Sequence, residues 1–278
     1  MSRSGSLLAG IARYAAILAY VLFALFPLFW LVKISFTPGS LLYTEGIRLW
    51  PSAATLANYR FVLTGSHFPY FFANSVTVSV ATALAVTMLA GAAGYALSRF
   101  TFRLKAAIAF LLLLTQMFPV VMLIPPIYRL MTPLGLTDSL FGLIVVYTAF
   151  NVPFATFLMQ SFFDGIPVQL EEAAMIDGCT RFGALRRIIL PLTLPGMAAT
   201  LGFVFTAAWS ELLFALMLIN SEEKMTFPVG LLTFVSKFAV EWGQMMAATV
   251  LALIPACIFF ALIQRYLVRG LTAGAVKG

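Results

Sequence analysis

The residues able to carry chemistry form two groups that demand different surroundings. The first is a polar run, Glu171, Glu172, Asp177, Arg181, Arg186 and Arg187, in a chain of which only 10% is charged. Carboxylates and guanidiniums at this density make charge-assisted hydrogen bonds, which are shorter and stronger than neutral ones, so the run is suited to gripping another charged surface. The second group stands isolated in apolar sequence: Gln116, Asn151, Ser210 and Glu211, with Trp209 alongside. Amides, a hydroxyl, a carboxylate and an aromatic ring are what a hydroxyl-rich solute needs. A carboxylate near a bilayer centre costs on the order of 2.5–3.5 kcal/mol and therefore faces a cavity or a partner. For Glu211 a helix–helix hydrogen bond is an equal account, and for Asn151 the repair of the backbone gap left by Pro153 outweighs solute contact. Enzyme chemistry has little to stand on. His67 is the single histidine and has no Cys or His companion to share a metal. Glu211 has no second carboxylate within the spans to pair with. Cys179 and Cys257 are not expected to pair, one facing a reducing compartment and the other inside a span.

These groups must be positioned by elements built for lipid. The chain has 278 residues, 62% of them hydrophobic, with a mean hydropathy of +1.01, whereas soluble domains carry about 25% charged residues. Apolar runs of about 20 residues, the length that crosses a bilayer core, fall at Tyr14–Val32, Val76–Leu97, Ala106–Ile127, Leu140–Leu158, Gly196–Ile219 and Met245–Ile263. Each is expected to be a helix, because a bilayer cannot satisfy open strand edges, and the alternation of a membrane barrel is missing. The first run is too long for a signal-peptide core and lacks a small-x-small cleavage site, so it reads as a retained helix. With the N-terminus inside, Arg3, Arg13, Arg99, Arg103, Lys105, Arg181, Arg186, Arg187, Arg265, Arg269 and Lys277 are cytoplasmic, against Lys33, Arg48, Arg60, Arg129, Lys224 and Lys237 outside. That bias places both termini in the cytoplasm. The net charge of +7 thus reports orientation and not nucleic-acid binding.

The chain reads as one membrane domain, 1–278, with an outer loop at 33–74, an inner loop at 159–195, a second outer loop at 220–244 and an inner tail at 264–278. The inner loop predicts a helical hairpin. Pro167 suits a first helical position, and Glu171 and Glu172 sit early, where the helix dipole favours anions. Gly178 supplies a stop and Thr180 a cap for the next helix. The first arm, 167–177, would be about 16 Å long. Leu170, Ala173, Ala174 and Asp177 share one face at helical spacing; two alanines there admit a close partner, and Glu171 and Glu172 remain available to a cation. Pro191 and Pro195 are expected to end the hairpin before the fifth span. The small residues of Ala90-Gly91-Ala92-Ala93-Gly94 predict close helix packing.

The polar run also carries a pattern: Glu172-Ala173-Ala174, three residues, Gly178, nine residues, Ile188, one residue, Leu190-Pro191. It resembles the Glu-Ala-Ala loop of the permease subunits of bacterial ABC importers. The resemblance implies an all-α polytopic fold of the type I importer permease kind, with six transmembrane helices and a cytoplasmic coupling hairpin on which a separate ATPase docks. The coupling residues it marks, with their neighbours, are Glu171, Glu172, Ala173, Ala174, Asp177, Gly178, Arg181, Ile188, Leu190 and Pro191, with Glu172 pairing to a basic residue of the ATPase. The alternative is an ordinary amphipathic loop on the membrane surface, which the full spacing disfavours.

The C-terminal run from Gln264 to Gly278 resembles the ending of the second permease of carbohydrate importers, the maltose/maltodextrin type included, whose tail reaches the ATPase interface. This marks Leu271, Thr272, Ala273, Gly274 and Lys277. Looser likeness extends over Asn58-Tyr59-Arg60, Phe72-Ala73-Asn74-Ser75 and Trp209-Ser210-Glu211, where Ser210 departs from the family's usual Asn. The chain has no Gly-x-x-x-x-Gly-Lys-Ser/Thr loop. It is therefore expected to be non-catalytic and to bind no cofactor, with ATP and Mg on two partner ATPase subunits. A second homologous permease, an outer solute-binding protein, a carbohydrate substrate and membrane lipid complete the expected partners, in a bacterial or archaeal cytoplasmic membrane. Competing readings are a permease for trehalose, another sugar, a polyol or a phosphorylated solute, an ion-coupled transporter, and a membrane enzyme.

Overall fold

Phe68 opens a helix of 32 residues that ends only at Arg99, and the other long elements are built in the same way, from apolar sequence without a break. The computed structural model describes residues 3–236 and 239–275, with side chains described for 10–236 and 239–264. It divides into two units, Met1–Pro69 with Leu231–Leu253, and Tyr70–Gly230 with Ile254–Gly278.

The first unit contains α1 (Arg3–Ser35), the segment after it, and α2 (Ala57–Arg60). The span within α1, Gly10–Ser35, has none of its most apolar stretch buried. The segment after α1 is not loose. Asn58 donates Nδ2 to the carbonyls of Ser35 and Thr37 at 2.9 and 3.0 Å. Ser35 and Tyr59 share a hydroxyl hydrogen bond of 2.7 Å, and Phe36 lies against Trp50 and Tyr59. The likeness at Asn58-Tyr59 thus marks a loop anchor.

The second unit contains most of α3 (Phe68–Arg99), then α4 (Lys105–Thr115), α5 (Val120–Met131), α6 (Leu140–Asp164), α7 (Gln169–Ile176), α8 (Arg181–Ala184), α9 (Leu190–Trp209), α10 (Leu213–Leu218) and α11 (Phe227–Gly230). The last helix, α12 (Trp242–Ala275), has its beginning in the first unit and its end in the second. Glycines set how closely the helices pack. A Cβ at Gly94 would stand 2.8 Å from the Gln160 nitrogen and 3.0 Å from the Thr156 carbonyl oxygen, and one at Gly196 would collide with Phe162. Both α3 and α9 therefore press their backbones on α6. Gly91 has open space around it, so only part of the small-residue run serves packing.

Among the described residues, five helices are long and apolar enough to cross a membrane: Gly10–Ser35, Phe68–Arg99, Leu140–Asp164, Arg181–Trp209 and Trp242–Gln264. The third expected span, Ala106–Ile127, is not one helix. Its two halves, α4 and α5, meet at a bend of 101°. Pro119 has extended backbone at the start of α5, and proline disfavours a helical conformation at the residue before it. The fifth span also differs from Gly196–Ile219: it stops at Trp209 and resumes as α10. Nor do Pro191 and Pro195 end the hairpin. Helix runs unbroken from Arg181 to Trp209, because a wider turn at Leu185–Ile189, closed by Leu190 N–H on the Leu185 carbonyl, inserts a residue just before Pro191. Proline at the start of α9 then forfeits little.

Candidate functional site

Three polar constellations lie in the second unit. The hairpin is the first. Gly178 has φ +88°, and Cys179 N–H reaches the Ala174 carbonyl at 3.0 Å while Gly178 N–H reaches that of Met175 at 3.1 Å. This left-handed C-terminal cap ends α7 as expected. Thr180 Oγ1 accepts from Gly183 N–H at 3.1 Å and caps α8, also as expected.

The faces of α7 differ from expectation. Glu171 is not available to a cation from outside. It is 4% exposed, accepts Arg99 Nε at 2.6 Å and accepts the Tyr95 hydroxyl at 3.0 Å. Ala174, three residues on, is buried as well. Burying Glu171 turns Glu172, Ala173, Ile176 and Asp177 outward. Ile176 is 86% and Phe182 73% exposed, two large apolar side chains that sequence reasoning passed over. Their signal was their position: Ile176 lies four residues after Glu172, hence on its face. Arg181 lies over the Phe100 ring at 5.0 Å. Ile188 and Leu190 are half-buried and Pro191 begins α9, so these three stand away from the exposed face of α7. Leu271, Thr272, Ala273 and Gly274 lie on the backbone of α12, but their side chains, and Lys277 altogether, are outside the described residues.

The second constellation gathers the isolated polar residues around one turn of α6. Gln116, at the α4–α5 bend, donates Nε2 to the Phe150 carbonyl at 3.4 Å. Asn151 donates Nδ2 to the Tyr147 carbonyl at 2.8 Å. Tyr147 donates its hydroxyl to Glu211 Oε2 at 2.6 Å, and the Phe150 and Phe214 rings lie 4.7 Å apart. Glu211 also receives the N–H groups of Phe214 and Ala215 at 2.9 and 3.2 Å, satisfying two of the otherwise unpaired donors in the first turn of α10. The helix–helix account of Glu211 is thus realised, together with a cap. Ser210 is exposed and bonds back to the Thr206 carbonyl. Trp209 does not join the group. It is 5% exposed and packed among Phe72, Phe205 and Phe227. Irregular backbone at membrane depth is tolerated where it is buried or lines a wet cavity, and Gln116 and Ser210 are both exposed at such breaks.

The third constellation was missed in the sequence. Asp138, in left-handed backbone at φ 52°, accepts from Asn220 N–H, from Ser221 N–H and Oγ, and from Lys224 Nζ at 2.6–3.0 Å. These bonds, led by that from the Ser221 hydroxyl, hold its carboxyl well below the usual carboxylate range. The opposite end of the same segment is held by Asn74, which donates to the Glu223 and Met225 carbonyls at 2.7 and 3.0 Å.

Spans broken at clustered polar residues, together with a capped polar hairpin, define a multi-pass helical membrane protein of the transport class. The chain belongs to the binding-protein-dependent transport system inner membrane component family, matched over residues 83–273. It is 35% identical to a sulfoquinovosyl glycerol transport system permease protein of Agrobacterium fabrum, covering 96% of this chain and 93% of that one. A trehalose/maltose transport system permease protein of Thermococcus litoralis is 36% identical over 91% of this chain and 92% of its own. Among solved structures, a bacterial ABC transporter involved in import of the acidic polysaccharide alginate superposes with a TM-score of 0.80. Identity there is 25%, with 96% of this chain and 98% of that chain covered.

Proposed function

We propose that this chain is a permease subunit of an ATP-driven importer for carbohydrate, forming half of a translocation path and coupling it to a separate ATPase. The observation that carries the reading is the outward face of α7, where Glu172, Ala173, Ile176 and Asp177 stand free on a helix fixed to its own protein from behind. Relatives named for sulfoquinovosyl glycerol, for trehalose/maltose and for alginate support a hydroxyl-rich solute. An oligosaccharide of the maltose or maltodextrin kind is the finer proposal.

In this reading two ATPase subunits hold ATP and Mg and seat against α7, with Glu172 pairing to a basic residue there. A second, homologous permease completes the path, and an outer solute-binding protein delivers the sugar. The hairpin and both termini are cytoplasmic. ATP-driven closure displaces the hairpin, and the paired permeases open outward around Gln116, Asn151, Ser210 and Glu211. Broken helices also occur in ion-coupled transporters, but membership of a binding-protein-dependent family weighs against that competitor.

The test is Glu172→Lys in the assembled transporter. Reversing one partner of a shielded charge pair costs several kcal/mol, so substrate-stimulated ATP hydrolysis and transport are both expected to fall by about tenfold or more. Unchanged stimulation and transport would remove Glu172 from the proposed role.

A further inference from the structure

The docking helix α7 has eight residues, too few to persist on its own in water. Its orientation therefore comes from what holds it, and that is Arg99. Each guanidinium nitrogen has a partner: Nε bonds Glu171 Oε1 at 2.6 Å, one terminal nitrogen bonds the Ser98 hydroxyl at 3.2 Å, and the other bonds the Ile166 carbonyl at 2.8 Å. Ser98 in turn donates to Asp164 Oδ1 at 2.5 Å. Two side chains in the last turn of α3 thus make the tie, Ser98 to the end of α6, and Arg99 to the linker after it and to α7. The pair is secluded, with both side chains 5% exposed, and removing one partner would leave a buried charge uncompensated.

What lies at the other end of α3 gives this anchor a consequence. Thirty-two helical residues span about 48 Å. Near the far end Asn74 holds the Glu223 and Met225 carbonyls, and Ser75 Oγ accepts from Phe227 N–H at 2.7 Å. Between the two ends α3 packs on α6 at Gly94. A force on α7 therefore has a continuous hydrogen-bonded route to residues 223–227, through Arg99 and along a stiff rod.

We infer that Arg99 and Glu171 are positioning residues that transmit displacement of the docking helix α7 to α3, and through α3 to the opposite end at 223–227. The inference rests on the reading of α7 as an ATPase seat. It assigns a role to the residue beside the family's motif glutamate, through an internal ion pair and not through contact with the ATPase.

The experiment uses the complete transporter in lipid nanodiscs, with Mg-ATP and vanadate as the probe. Two quantities are read: ATPase retained on the complex, and the ATP-dependent change in amide hydrogen exchange at 222–227. Glu171 is turned away from the exposed face, so Glu171→Gln is expected to retain the ATPase while shrinking the exchange response at least about fivefold. Tyr95→Phe keeps the ion pair and removes one hydrogen bond; its response should shrink about twofold, and it decides the matter if the stronger variant fails to assemble. The double charge swap R99E/E171R should recover most of the response, which a merely structural defect would not. A full-sized response in Glu171→Gln and Tyr95→Phe, a wild-type complex with no response at 222–227, or a swap no better than the single change overturns the inference. Failure of the wild-type chain to hold an ATPase overturns the docking reading instead.

Discussion

Tyr147 donates its hydroxyl to Glu211 across 2.6 Å, and in doing so joins the first third of α6 to the break between α9 and α10. The same carboxylate caps α10. The half-buried Glu211 side chain thus accepts from three donors, which is how its polar atoms are satisfied away from water. Tyr147→Phe removes one donor and leaves the cap. Hydrogen bonds between membrane helices contribute about 0.6 kcal/mol on average and up to about 1.7, so a loss in that range is expected. Glu211→Ala loses the cap as well and should melt lower than Tyr147→Phe. Thermal unfolding in detergent, followed by intrinsic fluorescence, checks both.

Two glycines three residues apart on α3 make a controlled comparison. A Cβ at Gly94 would crowd the backbone of α6 at 2.8–3.0 Å, while one at Gly91 meets nothing within 4 Å. Gly94→Ala should cost about 1–3 kcal/mol by overpacking. Gly91→Ala should be neutral or gain up to about 1 kcal/mol, the helix propensity difference between the two residues. Equal melting temperatures for the two variants would contradict the close approach of α3 to α6.

The Asp138 clamp carries a pH signature. Its carboxyl is depressed in the folded protein by the Ser221 and Lys224 bonds, so the charged form is the one that folding favours. Its contribution is complete above the ordinary carboxylate pKa of about 4, shrinks as pH falls from there, and vanishes once pH passes the depressed value. Amide exchange at Asn220 and Ser221 should therefore stay slow from pH 7 to about 4 after correction for intrinsic rates, and quicken below it. In Asp138→Ala exchange should be fast throughout, with no such inflection. The same pH profile in wild type and variant would detach the loop's protection from Asp138.

What could be read from the chain depended on whether the cause lay nearby. Gly178 and Thr180 did what their types and positions predicted, because a left-handed cap and a hydroxyl N-cap are settled within a few residues. The apolar runs found the spans for the same reason. Pro119 was visible, yet an average over twenty residues carries straight across it, and the 101° bend went unseen. Asp138 gave no local sign, since its side-chain partners lie 82 to 86 positions away.

The adjacent pair Glu171 and Glu172 shows where the division falls. By itself the sequence determined that a polar hairpin interrupts an apolar chain, where its helices are capped, and which family's spacing it carries, because these follow from residue type and short-range geometry. Only the tertiary structure decided which glutamate faces the protein and which faces outward. That choice belongs to Arg99, 72 residues earlier. A buried guanidinium takes the carboxylate that the packing of α7 against α3 brings within reach, and no property of the glutamates themselves distinguishes them.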